Sequence, residues 1–226
     1  MLLEAPPHAR PDAARSPLSS YCWKVLTALY EAGTAFTYQH LDLADPRARA
    51  EFYALWPMGK MPVLVDATAG RTVPETSVII EYLDRYAAPA HRMLPGDAEA
   101  ALEVRAWDRF FDLYVMAPMQ KIVGDRIRPA DGRDPFGVAE ARRTLDAAYG
   151  VLEARMQGRE WAAGDFGLAD CAAAPALYYA DKVTPLRGRL PALTAYLERL
   201  EARPSFARVL VEAQPYAQFF PRENVG

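Results

Sequence analysis

The sequence predicts a two-part protein, a small α/β domain followed by an all-helical domain. In the first part, apolar residues at helical spacing alternate with short runs of β-forming residues, whereas beyond residue 97 only the helical spacing recurs. A stretch containing proline and glycine, residues 88–96, separates the two patterns. We therefore predict an α/β domain over residues 1–87, a linker over 88–96 and a helical bundle over 97–226.

The first predicted helix follows the serines at 19 and 20 and ends at Gly33. Its apolar residues recur at helical spacing: Val25, Ala28, Leu29 and Ala32. Ser19 or Ser20 is a suitable N-cap, and Gly33 ends the pattern. The start of a helix favours an anion, because its N–H groups lack partners and its dipole is positive there. Such a site can hold a thiolate, a carboxylate or a phosphate, although the two serines could equally serve only as caps.

A strand and a second helix follow the first helix. Residues 36–41 alternate aromatic and polar side chains, which predicts a strand. Asp45 as N-cap and Pro46 at the first helical position then predict a helix that ends before the turn at 57–60.

A hairpin and a third helix complete the predicted α/β domain. Residues 61–66 form a compact apolar run, and residues 71–73 follow a turn that makes them its hairpin partner. From Glu75 onwards another apolar stripe predicts a helix, formed by Ile79, Tyr82, Leu83 and Tyr86.

The second part contains helical signals with almost no strand signal between them. Three stripes recur at 3.6-residue spacing: Val104, Trp107, Phe111 and Tyr114, then Leu145, Ala148, Tyr149 and Leu152, then Leu193, Tyr196, Leu197 and Leu200. Pro118 falls inside the first long helix, where we expect it to cause a kink because proline lacks the N–H.

Composition and charge exclude several functional classes. The chain has 226 residues, 51% of them hydrophobic, which is ample for a buried core. Its net charge of −3 and the lack of Lys/Arg runs argue against a nucleic-acid partner. No apolar run approaches the ~18 residues of a membrane span, and no secretory leader is recognisable. We expect a cytosolic protein that binds small molecules or another protein.

Cysteine and histidine usage indicates no metal site. Cys22 and Cys171 lie in unlike contexts, which fits a reducing compartment. His8, His40 and His91 are scattered, with no cysteine or carboxylate set at ligand spacing beside them. We therefore expect no metal.

Three local motifs resemble those of the glutathione transferase superfamily. The run SSYCWKV at 19–25 resembles the zeta-class pattern SSCxWRV, with lysine in place of arginine. WPMGKMPVL at 56–64 resembles the family's NPxGKxPxL run, with tryptophan at its first position, and ETSVIIEYL at 75–83 resembles ESxxIxxYL, with threonine for serine. The resemblance implies a thioredoxin-like first domain, a helical second domain and a homodimer.

The resemblance also implies where glutathione binds as co-substrate. Pro62, expected in the cis form, would leave the Met61 backbone to pair with the cysteinyl backbone of glutathione as an added strand. Thr76 would hold the γ-glutamyl carboxylate at the start of a helix, and Glu75 its ammonium, although both could simply cap the helix. Lys60 would pair with the glycyl carboxylate, or it is an ordinary exposed lysine in a turn.

Ser19 is the implied catalytic residue, with Ser20 as a neighbour that assists it or caps the helix. A hydroxyl that donates a hydrogen bond to the sulfur favours the thiolate, so the serine need not become a nucleophile. Cys22 offers a rival, glutaredoxin-like mechanism, but the attacking cysteine of that motif is a serine here, so we rank Cys22 first as a packed helix residue. Cys171, among alanines, is interpreted as helix packing.

The electrophile pocket is expected between the domains, lined by Leu18, Trp107, Phe111 and Tyr114. These aromatic residues could instead belong to the core, more so for Trp107 and Phe111 than for Tyr114. Residues 10–15 stand where the family has its first strand, but proline and charged residues make them a poor central strand. We therefore expect that strand to be absent or displaced, which bears on the position of Ser19.

The expected activity is transfer of glutathione to small electrophiles. Two alternatives stay open at this point. One is a non-catalytic ligand-binding or interaction protein of the same fold, and the other is a zeta-type isomerase that uses glutathione on a maleyl-type acid.

A further motif concerns the second domain. Gly167 stands where the family caps a buried helix with Ser or Thr. We expect this helix to form, because glycine is a tolerable N-cap.

Overall fold

A computed structural model of the chain describes residues 16–39, 41–87 and 91–223. These residues fall into two compact units. The first comprises the described part of Met1–Leu94 together with Pro204–Phe219, and the second comprises Pro95–Arg203 with the described residues that follow Phe219. The fold is that of a thioredoxin-like α/β domain and a helical domain, as predicted. None of the described helices has both the length and the apolar character needed to cross a bilayer.

The described residues contain nine α-helices and two strands. In chain order the elements are α1 (Ser20–Ala32), α2 (Pro46–Leu55), β1 (Val63–Asp66), β2 (Arg71–Pro74), α3 (Thr76–Tyr86), α4 (Ala98–Phe110), α5 (Ala117–Arg126), α6 (Pro135–Arg155), α7 (Leu168–Val183), α8 (Pro191–Ala202) and α9 (Pro204–Ala213). Short 3₁₀ segments cover Ser16–Leu18, Ala130–Gly132 and Gln214–Phe219. The question of a first strand at residues 10–15 lies outside the described residues.

Helix α1 forms the centre of the first unit. It begins after Ser19, the first of the two candidate N-caps, and its predicted end at Gly33 is confirmed, where the positive φ of 64° is typical of a helix C-cap. Its apolar residues are almost fully buried against α3 and α9. On the α9 side, Trp23 meets Phe206 edge to face at 6.0 Å between ring centroids.

The sheet of the first unit is a two-stranded hairpin among the described residues. β1 and β2 pair antiparallel, with Val63 opposite Pro74 and Asp66 opposite Arg71, which confirms the predicted hairpin. The predicted strand at 36–41 is wrong for the residues described there, because 36–39 and 41 have no strand structure. Alternation gives a segment the local preference for extended backbone, but a strand also needs a partner for its N–H and C=O groups. No described segment pairs with these residues.

The second unit is helical throughout its described residues. Its core is built from α4 to α8, and Phe111, Leu145 and Leu193 are fully buried there. Between α4 and α5 the chain forms a π-helical segment, Phe111–Met116. Pro118 lies in the first turn of α5, directly after this segment. The predicted irregularity is therefore present, in the form of a widened turn rather than a simple kink.

The backbone N–H of Gly167, at the start of α7, donates a hydrogen bond to the carboxylate of Asp170. Gly167 is the N-cap, as predicted, and its N–H donates to Asp170 Oδ2 at 3.0 Å. The other oxygen, Oδ1, accepts from Ala162 N at 3.0 Å and from the Tyr196 hydroxyl at 2.5 Å. The Asp170 N–H, which a cap hydroxyl would accept, donates instead to Gly167 O at 3.0 Å, so the helix begins normally.

Candidate functional site

Ser19 is held at the N-terminus of α1 by its own helix. Its backbone is extended (φ −68°, ψ 113°), and its Oγ accepts a hydrogen bond from Cys22 N at 3.4 Å. The side chain is half-buried. Because Oγ acts as the acceptor in this bond, the hydroxyl proton can be donated to a sulfur atom, and the Cys22 thiol is one acceptor within reach.

The residues that follow Ser19 face the protein interior. Ser20 is 5% exposed and Cys22 only 2%. Burial raises the pKa of the Cys22 thiol, and the hydrogen bond with Ser19 offsets this only in part. Trp23 Nε1 donates to Pro17 O at 2.7 Å, which fixes the segment before Ser19 against α1. Of the two serines, only Ser19 is accessible to a ligand to an appreciable extent.

The hairpin register brings Met61–Pro62 next to the start of α3. Val63 pairs with Pro74, so the residues just before Val63 and just after Pro74 lie at the same end of the hairpin. The Met61–Pro62 peptide is cis, as the sequence predicted, and Pro62 is buried. Glu75 follows Pro74 directly and begins α3 as its N-cap.

Helix α3 begins without help from its N-cap side chain. Glu75 makes no side-chain cap hydrogen bond, and its φ of 68° lies in a region that non-glycine residues rarely adopt. Glu75 is exposed, whereas Thr76 is 7% exposed at the first helical position. An outlying backbone conformation at a helix start is a feature often found at binding sites.

A buried lysine joins the two helix starts. Lys24, in the second turn of α1, has no exposed surface, and its Nζ donates to Ser77 Oγ at 3.0 Å. Ser19 precedes Lys24 by five residues, about 7.5 Å along a helix axis. This bond places the second turn of α1 beside the first turn of α3, and the hairpin register places Met61–Pro62 next to the start of the same α3.

Such an arrangement suits an anionic, peptide-like ligand. Two helix N-termini supply partial positive charge, the residues before β1 supply an extended backbone segment, and Ser19 supplies a hydroxyl donor. Among the described residues there is no group of three or more His, Cys, Asp or Glu side chains placed to hold a metal ion.

Two family models match the chain. Residues 18–85 match the N-terminal domain of glutathione S-transferase, and residues 135–199 match its C-terminal domain. The chain is also 30% identical to glutathione S-transferase 3 of Zea mays over 203 residues, which covers 86% of this chain and 90% of the maize protein. The chain therefore belongs to the glutathione S-transferase family.

Two further proteins show the range of this similarity. The glutathione S-transferase-like protein LUC7 of Fusarium sp. is 34% identical over 148 residues, 63% of this chain and 64% of the fungal protein, slightly under two thirds of its length. A glutathione S-transferase from Methylobacillus flagellatus KT, solved with GSH bound, has a TM-score of 0.78 at 25% identity and covers 85% of this chain and 95% of its own.

The residues expected around an electrophile lie in both units. In the first unit, Leu18 is half-buried beside Ser19. In the second, Trp107 is half-buried, Tyr114 is 50% exposed and Phe111 has no exposed surface. That these four residues line one pocket stays a prediction. Lys60 is exposed in the turn before Met61.

Sequence reasoning missed three features of this protein. The contact between Lys24 and Ser77 was not anticipated, although the lysine within an otherwise apolar helix was a signal of burial with a partner. The positive φ of Glu75 had no signal, because glutamate does not favour it. Phe110 was also missed: its ring lies 5.2 Å from those of both Trp107 and Tyr114 and completes an aromatic row on the second unit.

Proposed function

We propose that this protein is a glutathione transferase in which Ser19 stabilises the thiolate of bound glutathione for attack on small electrophiles. One observation carries the proposal: the half-buried Ser19 lies at the positive end of α1, where its Oγ accepts from Cys22 N and its hydroxyl is a donor suited to sulfur. A hydroxyl so placed donates to a sulfur anion and stabilises it together with the helix dipole.

The proposed glutathione site uses residues of the first unit just before β1 and at the start of α3. The Met61 backbone pairs with the cysteinyl backbone of glutathione, next to the start of β1. The γ-glutamyl carboxylate binds at Thr76, where α3 begins without a side-chain cap, and Glu75 pairs with the ammonium. Lys60, exposed in the preceding turn, pairs with the glycyl carboxylate.

The proposed reaction is a substitution by sulfur. A free thiol has a pKa of about 8.5 and is mostly protonated at neutral pH, and each pKa unit of lowering requires about 1.4 kcal/mol of preferential stabilisation of the thiolate. The thiol proton leaves to solvent when glutathione ionises. With an aryl chloride, the sulfur electron pair then forms the C–S bond and chloride departs with the electron pair of the C–Cl bond. Ser19 keeps its proton throughout and acts as a hydrogen-bond donor.

The burial of Cys22 argues against the glutaredoxin-like alternative. A redox thiol must be accessible and partly ionised, whereas Cys22 is 2% exposed and burial raises its pKa. Two alternatives differ from transfer in what happens to glutathione: a zeta-type isomerase returns it unchanged, and a non-catalytic relative binds it without turnover.

Retention on immobilised glutathione and turnover of 1-chloro-2,4-dinitrobenzene test the proposal together. We expect the wild-type protein to be retained and to form the conjugate while consuming glutathione. Ser19→Ala should be retained but lose most of its turnover, whereas Ser19→Thr, which keeps a hydroxyl, should recover part of it. Thr144→Ala, which removes an exposed hydroxyl on α6, serves as the control.

Each alternative has its own outcome in this experiment. Retention without Ser19-dependent turnover identifies a non-catalytic protein. Isomerisation of a maleyl-type acid with glutathione conserved and no conjugate formed identifies the isomerase. Thiol transfer that is lost in Cys22→Ser and kept in Ser19→Ala would reject the role of Ser19.

The family resemblance also motivates two further proposals, on the oligomeric state and on the location in the cell. We propose that the protein is a homodimer and that it acts in the cytosol. Sedimentation of the purified protein tests the first, since a monomer at micromolar concentration contradicts it, and fractionation of the source cells tests the second.

A further inference from the structure

A small cavity in the second unit is lined by residues outside the proposed glutathione site. Its volume is about 200 Å³. It is lined by residues of α5, α6, the segment between them and the segment after Phe219, chiefly Ile122, Arg126, Arg133, Val138, Arg142 and Glu223. Three guanidinium groups thus surround a space that also has two apolar side chains in its walls.

The carboxylate of Glu223 lies between two of these arginines. Arg142 Nη2 donates to Oε1 at 2.9 Å, and Arg126 Nη2 donates to Oε2 at 3.4 Å. Each oxygen therefore accepts from a different guanidinium, and one carboxylate bridges the pair. The cavity already holds a carboxylate, supplied by the chain itself.

Positive charge is in excess at this cavity. The only other acidic residue in the wall, Asp125, is engaged elsewhere, because its Oδ1 accepts from Asp134 N at 2.7 Å and lies 3.9 Å from Arg128. Arg133 is exposed, and it forms no ion pair with any residue in the described part of the chain. Arg126 and Arg142 therefore share the carboxylate of Glu223, whereas Arg133 has no carboxylate partner among the described residues.

Arg126 carries a buried N–H group without a hydrogen-bond partner among the described residues. Its side chain is only 10% exposed, and its Nε is buried without a hydrogen-bond partner among residues 16–39, 41–87 and 91–223. Burial lowers the pKa of Arg126, and Arg142 adds to this effect, while Glu223 opposes it. A buried guanidinium with an unused N–H favours an additional anionic acceptor.

We propose that this cavity binds a small organic dicarboxylate. One carboxylate takes the place of Glu223 between Arg126 and Arg142, and the second pairs with Arg133. The methylene groups between them lie against Ile122 and Val138. The bridging geometry of Glu223 favours a carboxylate as the occupant, because the same two donors already hold a group of that shape and charge.

Glu223 acts as an internal competitor for this site. The segment that carries it is held nearby, because Phe220 stacks on Tyr179 at 5.4 Å and Arg126 Nη1 donates to Pro221 O at 3.0 Å. A tethered carboxylate has a high effective concentration at the arginines, so an added dicarboxylate must displace it. Removing the charge of Glu223 should therefore strengthen binding.

Calorimetric titration of the full chain, without glutathione, tests the proposal with malonate and succinate as probes. We expect saturable binding of one of them, and no saturable binding of acetate at the same concentration. Glu223→Gln should bind the dicarboxylate about tenfold more tightly, corresponding to about 1.4 kcal/mol. Arg133→Gln, a change at an exposed residue, should weaken it about tenfold.

A matched control comes from the same helix. Arg143 neighbours Arg142 on α6, its side chain is 67% exposed, and it does not line the cavity, so Arg143→Gln should bind like the wild type. The proposal is overturned if neither dicarboxylate binds to Glu223→Gln, if inorganic phosphate binds more tightly than both, or if Arg143→Gln weakens binding as much as Arg133→Gln. Conjugation of glutathione is a separate readout and should not change in Arg133→Gln, so this proposal can fail without affecting the proposed function.

Discussion

Helices α1 and α3 of the first unit start in opposite ways. α1 is capped by the hydroxyl of Ser19, with ordinary extended backbone at the cap. α3 begins at Glu75 with a positive φ and no side-chain cap. Cap serines normally satisfy one of the N–H groups left open at a helix start. Helix α1 therefore receives a side-chain cap from Ser19, whereas the N–H groups at the start of α3 receive no hydrogen bond from the Glu75 side chain and can bind another acceptor.

The difference assigns separate tasks to the two helix starts under the proposed function. α1 supplies a hydroxyl donor to a sulfur, and α3 supplies a place for a carboxylate. Lys24 holds the two starts together from the buried side through Ser77. Substitutions at Ser19, Thr76 and Lys24 are expected to change the two tasks and the Lys24–Ser77 hydrogen bond separately.

The largest effect is expected from Ser19→Ala. Loss of the hydroxyl donor should lower kcat/KM for conjugation about 100-fold at neutral pH, or about 2.7 kcal/mol. The physical reason is a higher thiol pKa, so the activity of the variant should fall with decreasing pH already below about 8.5, the value of a free thiol. The measurement is the pH profile of kcat/KM. Equal profiles for the variant and the wild type would remove Ser19 from thiolate stabilisation.

Loss of the hydrogen bond between Lys24 and Ser77 is expected to give the next largest effect, on the free energy of unfolding. A hydrogen bond from a charged group is worth about 1.5–3 kcal/mol, so the Lys24→Met, Ser77→Ala and double variants should show a coupling of about 2 kcal/mol in urea unfolding. Lys24→Met keeps the volume of the side chain, which limits cavity effects. Additive single changes would mean that the bond between Lys24 and Ser77 contributes nothing of its own.

Thr76→Val tests the start of α3 as a carboxylate site. The change keeps the shape of the side chain and removes the hydroxyl, so KM for glutathione should rise about tenfold while kcat stays the same, because this contact stabilises ground and transition states equally. Thr72→Val, at an exposed position of β2, should leave KM unchanged. A fall in kcat with unchanged KM would contradict the separation of tasks.

The backbone of Glu75 is expected to give a smaller effect. Residues at φ 68° are strained unless they are glycine. Glu75→Gly should therefore unfold at a higher urea concentration than Glu75→Ala, with a difference in free energy of unfolding of about 1 kcal/mol. Both variants lose the same carboxylate, so the comparison isolates the backbone. Equal stability of the two would indicate that the positive φ is not maintained.

The smallest effect concerns the tie between the hairpin and α3. The pKa of Asp66 is lowered, first by the N–H of Ala69 and then by the Tyr82 hydroxyl, which lies 2.8 Å from Oδ2. A lowered folded-state pKa contributes stability above the unfolded value of about 3.9 and loses it as the pH falls through the folded pKa. The stability difference between wild type and Asp66→Asn should therefore shrink as the pH falls below about 4 in urea unfolding. A constant difference would show that Asp66 has the same pKa when unfolded.

The strand predicted at 36–41 shows that a local pattern alone does not establish a strand. Residues 36–41 alternate aromatic and polar side chains, whereas the confirmed hairpin was predicted from an apolar run and a turn, and the described residues of 36–41 have no strand structure. Residues 63–66 and 71–74 lie close in sequence and supply each other with partners, so local preference and pairing agree. A strand whose partner must come from elsewhere in the chain cannot be judged from its own residues.

The amino-acid sequence by itself determined the helix starts at Ser19, Asp45 and Gly167, the hairpin, the cis Met61–Pro62 peptide and the change to a helical second part. These features depend on neighbours within a few residues and on motif resemblance. Only the tertiary structure decided that Lys24 is buried against Ser77, that α9 packs with α1 in the first unit, and that Glu223 bridges Arg126 and Arg142. The physical reason is separation along the chain: the partners of these groups lie 53 residues away or more, and no local pattern records which distant group will satisfy a buried charge.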